Sequence, residues 1–299
     1  MAGVDGGVGV AWTEGEGFFL ADDDPRAVGR AMQWARSRSL PAVTVLAARG
    51  AADLARRAAL VSGADTTVQV FAVDGAAAEV AEPGPRTDPP PIPDTHWQLA
   101  PIMSEAGARP LDDHGVLVAE VTGLEVARVV DGADGPVIDI GVGQADRELS
   151  QLVHGSQEPG AGLRRVIAAV IEHRTGGSHH PLVRVARERW LRSVVLDRPE
   201  LVGAAELSPV VPLRPRDGLM LAQPSAAAGR RPDGRPIVVV AVVGVDLDVV
   251  PEGADYRDSV DPDAELVLVM PERDVPLNTS LVGLVPDARA EALAEPWRS

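Results

Sequence analysis

The stretch "VTVLAARGAADLARRAALVSGADTTVQVFAV" (residues 43–73) decides the fold class. It opens on "VTVLA" (43–47) and closes on "TVQVFAV" (67–73), two short runs rich in β-branched and apolar residues that read as strands. Between them Leu54, Ala58 and Val61 recur at helical spacing. A strand–helix–strand unit of this size is expected to make a right-handed parallel crossover. Upstream, "GVGVAW" and "GFFLA" suggest a hairpin around Glu14–Glu16. Asp24-Pro25 is a helix start, an N-cap acceptor followed by proline at the first helical position. Val28, Ala31, Met32 and Ala35 supply the inner face of that helix. Asp22, Asp23 and Asp24 fit a solvated turn and cap better than a cation site.

The segment "EPGPRTDPPPIPDTHW" (82–97) carries six prolines. Proline fixes φ and removes backbone donors, so an extended, semi-rigid connector is expected. The expected organisation is a small α/β domain over 1–82, a proline-rich linker over 83–97 and a larger mixed α/β domain over 98–299. The fold class is α/β in the mixed α+β sense, a small βαβ-containing N-terminal domain followed by a larger mixed-sheet C-terminal domain.

In the larger domain, "VLVAEV" (116–121), "LEVARVV" (124–130) and "PVIDIGV" (136–142) are separated by turn signals and predict an antiparallel meander. One helix is expected near 162–174, with Leu163, Val166, Ile167, Val170 and Ile171 in its apolar stripe. A second is expected near 183–196, with Val183, Trp190, Leu191 and Val194. Residues 206–236, rich in proline and glycine, read as loop. "IVVVAVVGV" (237–245) is the most buried-looking strand, "PEGADYRDSV" (251–260) a short helix and "AELVLVM" (264–270) a further strand, again in the order that favours parallel pairing.

"IDIGVGQADREL" (138–149) superficially suggests a dinucleotide turn. Gly141 and Gly143 fill its first two glycine positions, but the third falls on Asp146, whose carboxylate would obstruct helix closure and face the pyrophosphate. A strand turning into a helix capped by Asp146 accounts for the same residues. Asp139 then lies inside the strand and calls for a partner such as Arg128.

Composition excludes several chemistries. The chain has no cysteine, and all 28 basic residues are arginine, so thiol nucleophiles, disulfides, Schiff-base lysines and a phosphate-loop lysine are excluded. Net charge is −16, which repels nucleic acid and anionic membranes overall. The start has no basic segment before an apolar run, and the longest apolar run, "PIVVVAVVGV" (236–245), is too short for a bilayer. A soluble, cytoplasmic protein without a membrane partner is expected.

Against that acidic background, residues 160–198 hold eight arginines and only three acids. Arg164, Arg184 and Arg187 are candidate anion-binding residues. On a helical wheel Arg187 falls within the arc of Val183, Trp190 and Val194, so it must snorkel, stack on Trp190 or meet an anion, for which Asp139 and Asp246 are internal alternatives. His173, His179 and His180 surround a glycine turn without a carboxylate at metal-ligand spacing. Asn278-Thr279-Ser280 fits a glycosylation pattern.

"VVVAVVGVDLDVV" places Asp246 and Asp248 after a strand, and "MPERD" places Glu272 and Asp274 after the next. If the strands are parallel neighbours, four carboxylates meet at their carboxyl ends and suit Mg²⁺ or Mn²⁺. Asp246, Asp248 and Val250 resemble the first motif of haloacid dehalogenase-type phosphatases. That family also needs a downstream basic residue, usually lysine, and a later acidic motif, whereas the chain ends 51 residues beyond Asp248 without a lysine; membership is rejected. The alternative for these acids is helix capping with Arg257 and Arg273 as ion-pair partners. "GLEVARV" is similar to the Glu-x-Lys of restriction-endonuclease-like folds, with Glu125 in the acidic place and Ala127 where lysine belongs. Regular strand alternation would put Arg128 on the opposite side from Glu125.

"IDIGVGQADRE", "RERWLR", "VVGVDLDVVPEGAD" and "VLVMPERD", with the lysine-free composition, resemble an uncharacterised family of hypothetical proteins from high-GC Gram-positive bacteria. The resemblance spans most of the chain and implies no activity or catalytic residues. Two functional expectations follow. The first is a non-catalytic binding or interaction protein whose basic helical segment takes an acidic protein partner or a phosphate-bearing ligand, with no cofactor. The alternative is a metal-dependent phosphoester hydrolase, or divergent nuclease-like enzyme, using Mg²⁺ or Mn²⁺ at Asp246, Asp248, Glu272 and Asp274.

Overall fold

A computed structural model describes residues 2–5, 8–21, 24–61, 66–143, 159–174, 180–216, 218 and 221–298. In chain order the strands and helices are β1 (Ala2–Asp5), β2 (Val8–Trp12), β3 (Gly17–Leu20), α1 (Ala27–Ser37), β4 (Ala42–Ala47), α2 (Ala51–Val61), β5 (Thr67–Asp74), β6 (Ala77–Val80), α3 (Asp94–Trp97), α4 (Ala100–Glu105), β7 (Arg109–Asp112), β8 (Leu117–Val121), β9 (Leu124–Gly132), β10 (Gly135–Ile140), α5 (Pro159–Arg174), α6 (Arg187–Asp197), β11 (Glu206–Pro209), β12 (Ser225–Arg230), β13 (Pro236–Ala241), α7 (Val249–Val260), β14 (Glu265–Pro271), α8 (Val275–Asn278) and β15 (Ala288–Leu293). The chain is a mixed α/β protein. No described helix is long and apolar enough to cross a membrane.

Two compact units form. The first comprises Met1–Thr87, Asp233–Val240 and Gly244–Leu293, and the second Asp88–Pro232, Ala241–Val243 and Ala294–Ser299. The break after Thr87 falls inside the expected 83–97 linker. The expected 98–299 domain differs from this division, because most of 233–293 groups with the N-terminal segment. The physical reason is α7, whose buried Asp255 binds arginines of α2 and of the proline-rich segment.

In the first unit, β1 to β6 form one sheet in sequential order. β2 and β3 make the expected hairpin, β3–β4 and β4–β5 are parallel, and β6 returns antiparallel to β5. The parallel pairs arise because α1 and α2 provide the crossovers a two-residue turn cannot. Val10, Phe19, Val45 and Val70 align across four strands and are all buried. α1 presents buried Val28, Ala31, Met32 and Ala35, as its spacing predicts. It starts at Ala27, later than Asp24-Pro25 implies; Asp24 Oδ1 instead accepts the Arg26 N–H at 2.8 Å. β13, β14 and β15 lie side by side, β14 and β15 parallel, and α7 packs on β14 and on α1 and α2.

In the second unit, β8 to β10 form the expected antiparallel meander, and β7 adds a fourth, unexpected antiparallel strand beside β8. Its apolar face, including Ala119, Leu124, Ala127 and Val129, packs against Met103 of α4 and Leu163, Ile167 and Val170 of α5. Ile171, expected in the α5 stripe, is 43% exposed. The second expected helix is shorter: Pro181–Arg184 is a 3-10 turn, and Ala186, with φ of 47°, separates it from α6. The 206–236 stretch is not all loop, since β11 and β12 pair antiparallel within it.

Candidate functional site

The polar face of the meander is created by a β-bulge. Val118 pairs with Arg128 and Ala119 with Ala127, but Glu120 then pairs with Glu125, leaving Val126 without a partner. The extra residue turns Glu125 to the same face as Arg128, which regular alternation would separate. Arg128 Nε and Nη2 donate to the two Glu125 oxygens at 2.7 and 3.0 Å, correcting the expectation that they face apart. The bond to Glu125 raises the Arg128 pKa despite burial, with Asp113 and Asp139 adding to it. Asp139 stands directly opposite Arg128 in the ladder.

α6 brings its arginines to this face. Arg192 Nη2 donates to Glu120 Oε2 at 2.5 Å, and Arg189 Nη2 lies 2.7 Å from each oxygen of Asp113. Burial opposes charge on Arg189, yet the carboxylates of Asp113 and Glu120 more than offset it and its pKa is raised. These guanidiniums are internal ion-pair members, 3% and 2% exposed. Their occurrence inside follows from pairing, since an unpaired buried charge is costly.

Arg174, the last residue of α5, is different. It is 1% exposed, and its Cζ lies 4.2 Å from the centroid of the Trp190 ring. Among the described residues its Nε, Nη1 and Nη2 have no hydrogen-bond partner. Burial pulls its pKa down to about 10, with Glu120 opposing the shift and Arg187 reinforcing it. It remains a cation at neutral pH. Arg216 is likewise pulled down to about 10, by burial and then by Arg189, and its Nε and Nη1 lack partners among the described residues.

The three expected anion-binding arginines are not gathered at one point. Arg164 and Arg184 are exposed. Arg187 is half-buried, donates from Nε to the Val183 carbonyl at 3.0 Å, and lies 5.0 Å over the Trp297 ring rather than over Trp190. Trp297 completes the cluster of Val183 and Trp190 beside which the wheel placed Arg187. Arg174 was missed as a site residue, although Leu163, Ile167, Val170 and Arg174 recur at helical spacing, a signal that it continues the buried stripe.

Three of the four metal-candidate carboxylates have other engagements in the first unit. Asp248 is fully buried; its Oδ1 accepts the Gly29 N–H at 2.5 Å, and Arg57 Nη1 is 3.5 Å from Oδ2. Asp246 Oδ1 accepts the Asp248 N–H at 3.0 Å. Asp274 Oδ2 accepts the Gly244 N–H at 2.7 Å, while Glu272 is exposed. Asn278 is buried and bonded to Gly244, Asp246 and Asp274, so its side chain is not presented for glycosylation. Among the described residues no group of three or more His, Asp or Glu side chains could hold a metal ion. The His173 and His180 rings stack at 4.1 Å. Asp22, Asp23, Asp146 and His179 lie outside the described residues.

Comparison of the chain with protein-family models, with curated proteins and with solved structures found no match.

Proposed function

We propose that the chain is a non-catalytic binding protein whose basic helical segment receives an acidic partner or a phosphate-bearing ligand. The observation that carries this reading is how the charges of residues 160–198 divide. Glu188 is buried and Asp197 binds Arg109 at 2.7 Å, so two of the three acids are engaged. Arg164 and Arg184 are exposed and make no ion pair among the described residues. Outward charge on this segment is therefore cationic in a chain of net charge −16, a contrast that attracts and orients an anionic partner.

The experiment is retention of the chain on heparin and on poly-glutamate at two salt concentrations. Retention should weaken with salt and fall when Arg164→Gln and Arg184→Gln are combined. A chain that binds neither polyanion at low salt ends this reading.

A further inference from the structure

The polar face of the second unit holds buried atoms that have no hydrogen-bond partner among the described residues: Glu120 Oε1, Thr122 Oγ1, Arg192 Nε and all three nitrogens of Arg174. Folded interiors satisfy nearly all such groups, and an exception calls for a physical reason. Thr122 and Glu120 belong to the strand and turn against which α6 packs, and Glu120 acts electrostatically on Arg174. The orphaned atoms therefore share one region.

Trp190 attracts the Arg174 cation, whose Cζ lies 4.2 Å from the ring centroid, but offers its N–H groups no oxygen acceptor. The N–H bonds lie in the guanidinium plane and form a fork that matches two oxygens of an oxyanion. Arg189 and Arg192 have their forks turned to Asp113 and Glu120. Among the described residues Arg174 has no such carboxylate bonded to it, and the second oxygen of Glu120 supplies one acceptor in the same neighbourhood.

We infer that Arg174 and Glu120 form a binding site for the phosphate group of a small molecule. Two phosphate oxygens accept from the Arg174 edge, and Glu120 Oε1 accepts from a P–OH or from a hydroxyl beside the phosphate. This inference rests on the binding function proposed above and assigns the exposed Arg164 and Arg184 to attraction rather than to the final contact.

The test follows thermal unfolding of the intact chain with inorganic phosphate, against chloride at matched ionic strength. Phosphate should raise the midpoint. Sulfate, which carries no O–H near neutral pH, should bind about tenfold less tightly because it meets the lone pairs of Glu120 unprotonated. Arg174→Met should weaken phosphate binding on the order of tenfold to a hundredfold, and Arg174→Lys, which keeps the charge without the fork, should fall between. A wild-type midpoint unmoved by phosphate, equal binding of sulfate, or full phosphate binding by Arg174→Met overturns the site. The wild-type phosphate–sulfate comparison decides alone if the Arg174 variants do not fold. Polyanion retention without a phosphate response removes this site and leaves the broader function; a phosphate response without polyanion retention leaves the site and removes the role given to the exposed arginines.

Discussion

Gly29 and Asp248, 219 positions apart, meet at the start of α1, where the Gly29 N–H donates to Asp248 Oδ1 at 2.5 Å. The first N–H groups of a helix have no intrahelical acceptor, and a carboxyl group from α7's N-terminal side fills that role from outside the helix. The approach is so close that a Cβ on Gly29 would lie 2.0 Å from the Leu247 carbonyl oxygen. Gly29→Ala should therefore lower stability by roughly 1–3 kcal/mol or more, since backbone rather than a flexible side chain must move. Urea midpoints of the two proteins check it, and a wild-type midpoint in the variant would contradict the contact.

Asp248 should also shape the pH dependence of stability. Burial lifts its pKa to about 8, against the pull of Arg57 and the Gly29 N–H. The folded chain therefore holds a proton that the unfolded chain releases near the ordinary carboxylate value of 3.8. This group's contribution is largest at low pH, declines as pH rises from there to about 8, and is level above. Asp248→Asn keeps the acceptor and removes the ionisation, so the variant should lose that slope. Denaturant unfolding at several pH values across the window measures it; an unchanged slope would show that Asp248 ionises normally.

Asp255 should respond in the opposite direction. Burial opposes its charge, but Arg56 and Arg57 prevail and its pKa is lowered. Its stabilisation is present above the ordinary carboxylate value and is lost as pH falls through the lowered one. Arg86 of the proline-rich segment also binds Asp255, at 2.9 Å, and reaches Asp258. Asp255→Asn leaves buried guanidiniums short of their anion and should cost about 3–5 kcal/mol. It should also speed tryptic cleavage after Arg86, because the connector is pinned there in the wild type. Equal cleavage rates would argue against the anchor.

Gly123 makes the comparable contact in the second unit. Its φ is +80°, and an added Cβ would lie 2.1 Å from the Trp190 backbone nitrogen. Gly123→Ala combines an unfavourable left-handed conformation with a backbone clash. The variant should unfold at lower denaturant and change the near-ultraviolet circular dichroism of the tryptophans. A native spectrum with an unchanged midpoint would remove the tight docking of this turn on α6.

Much of the element list was legible because it rests on local periodicity. The 43–73 unit, the meander and the strand expected over 237–245 carry branched apolar runs bounded by turn residues; the first two form where expected, and the third forms over Pro236–Ala241 and ends four residues early. β6, "AAEV", and β12, "SAAAGR", were not legible. Their alanine and glycine carry little strand preference, and their pairing partners rather than their own side chains make them strands.

The site was less legible for a related reason. The excess of arginine in 160–198 is visible in the residues themselves, and so is the helical spacing that carries Arg174 into the buried stripe. Which guanidinium finds a carboxylate is decided across 72 positions for Arg192 and Glu120, 76 for Arg189 and Asp113, and 198 for Arg57 and Asp255. The bulge at Val126, which turns Glu125 toward Arg128, depends on the register with β8 and on no local signal. Sequence by itself determined the strongly periodic helices and strands and the charge balance, because these follow from neighbours along the chain. Tertiary structure alone decided which buried charges are neutralised and that Arg174 lies against the Trp190 ring with no acceptor for its N–H groups among the described residues, because electrostatic partners are chosen by distance in space.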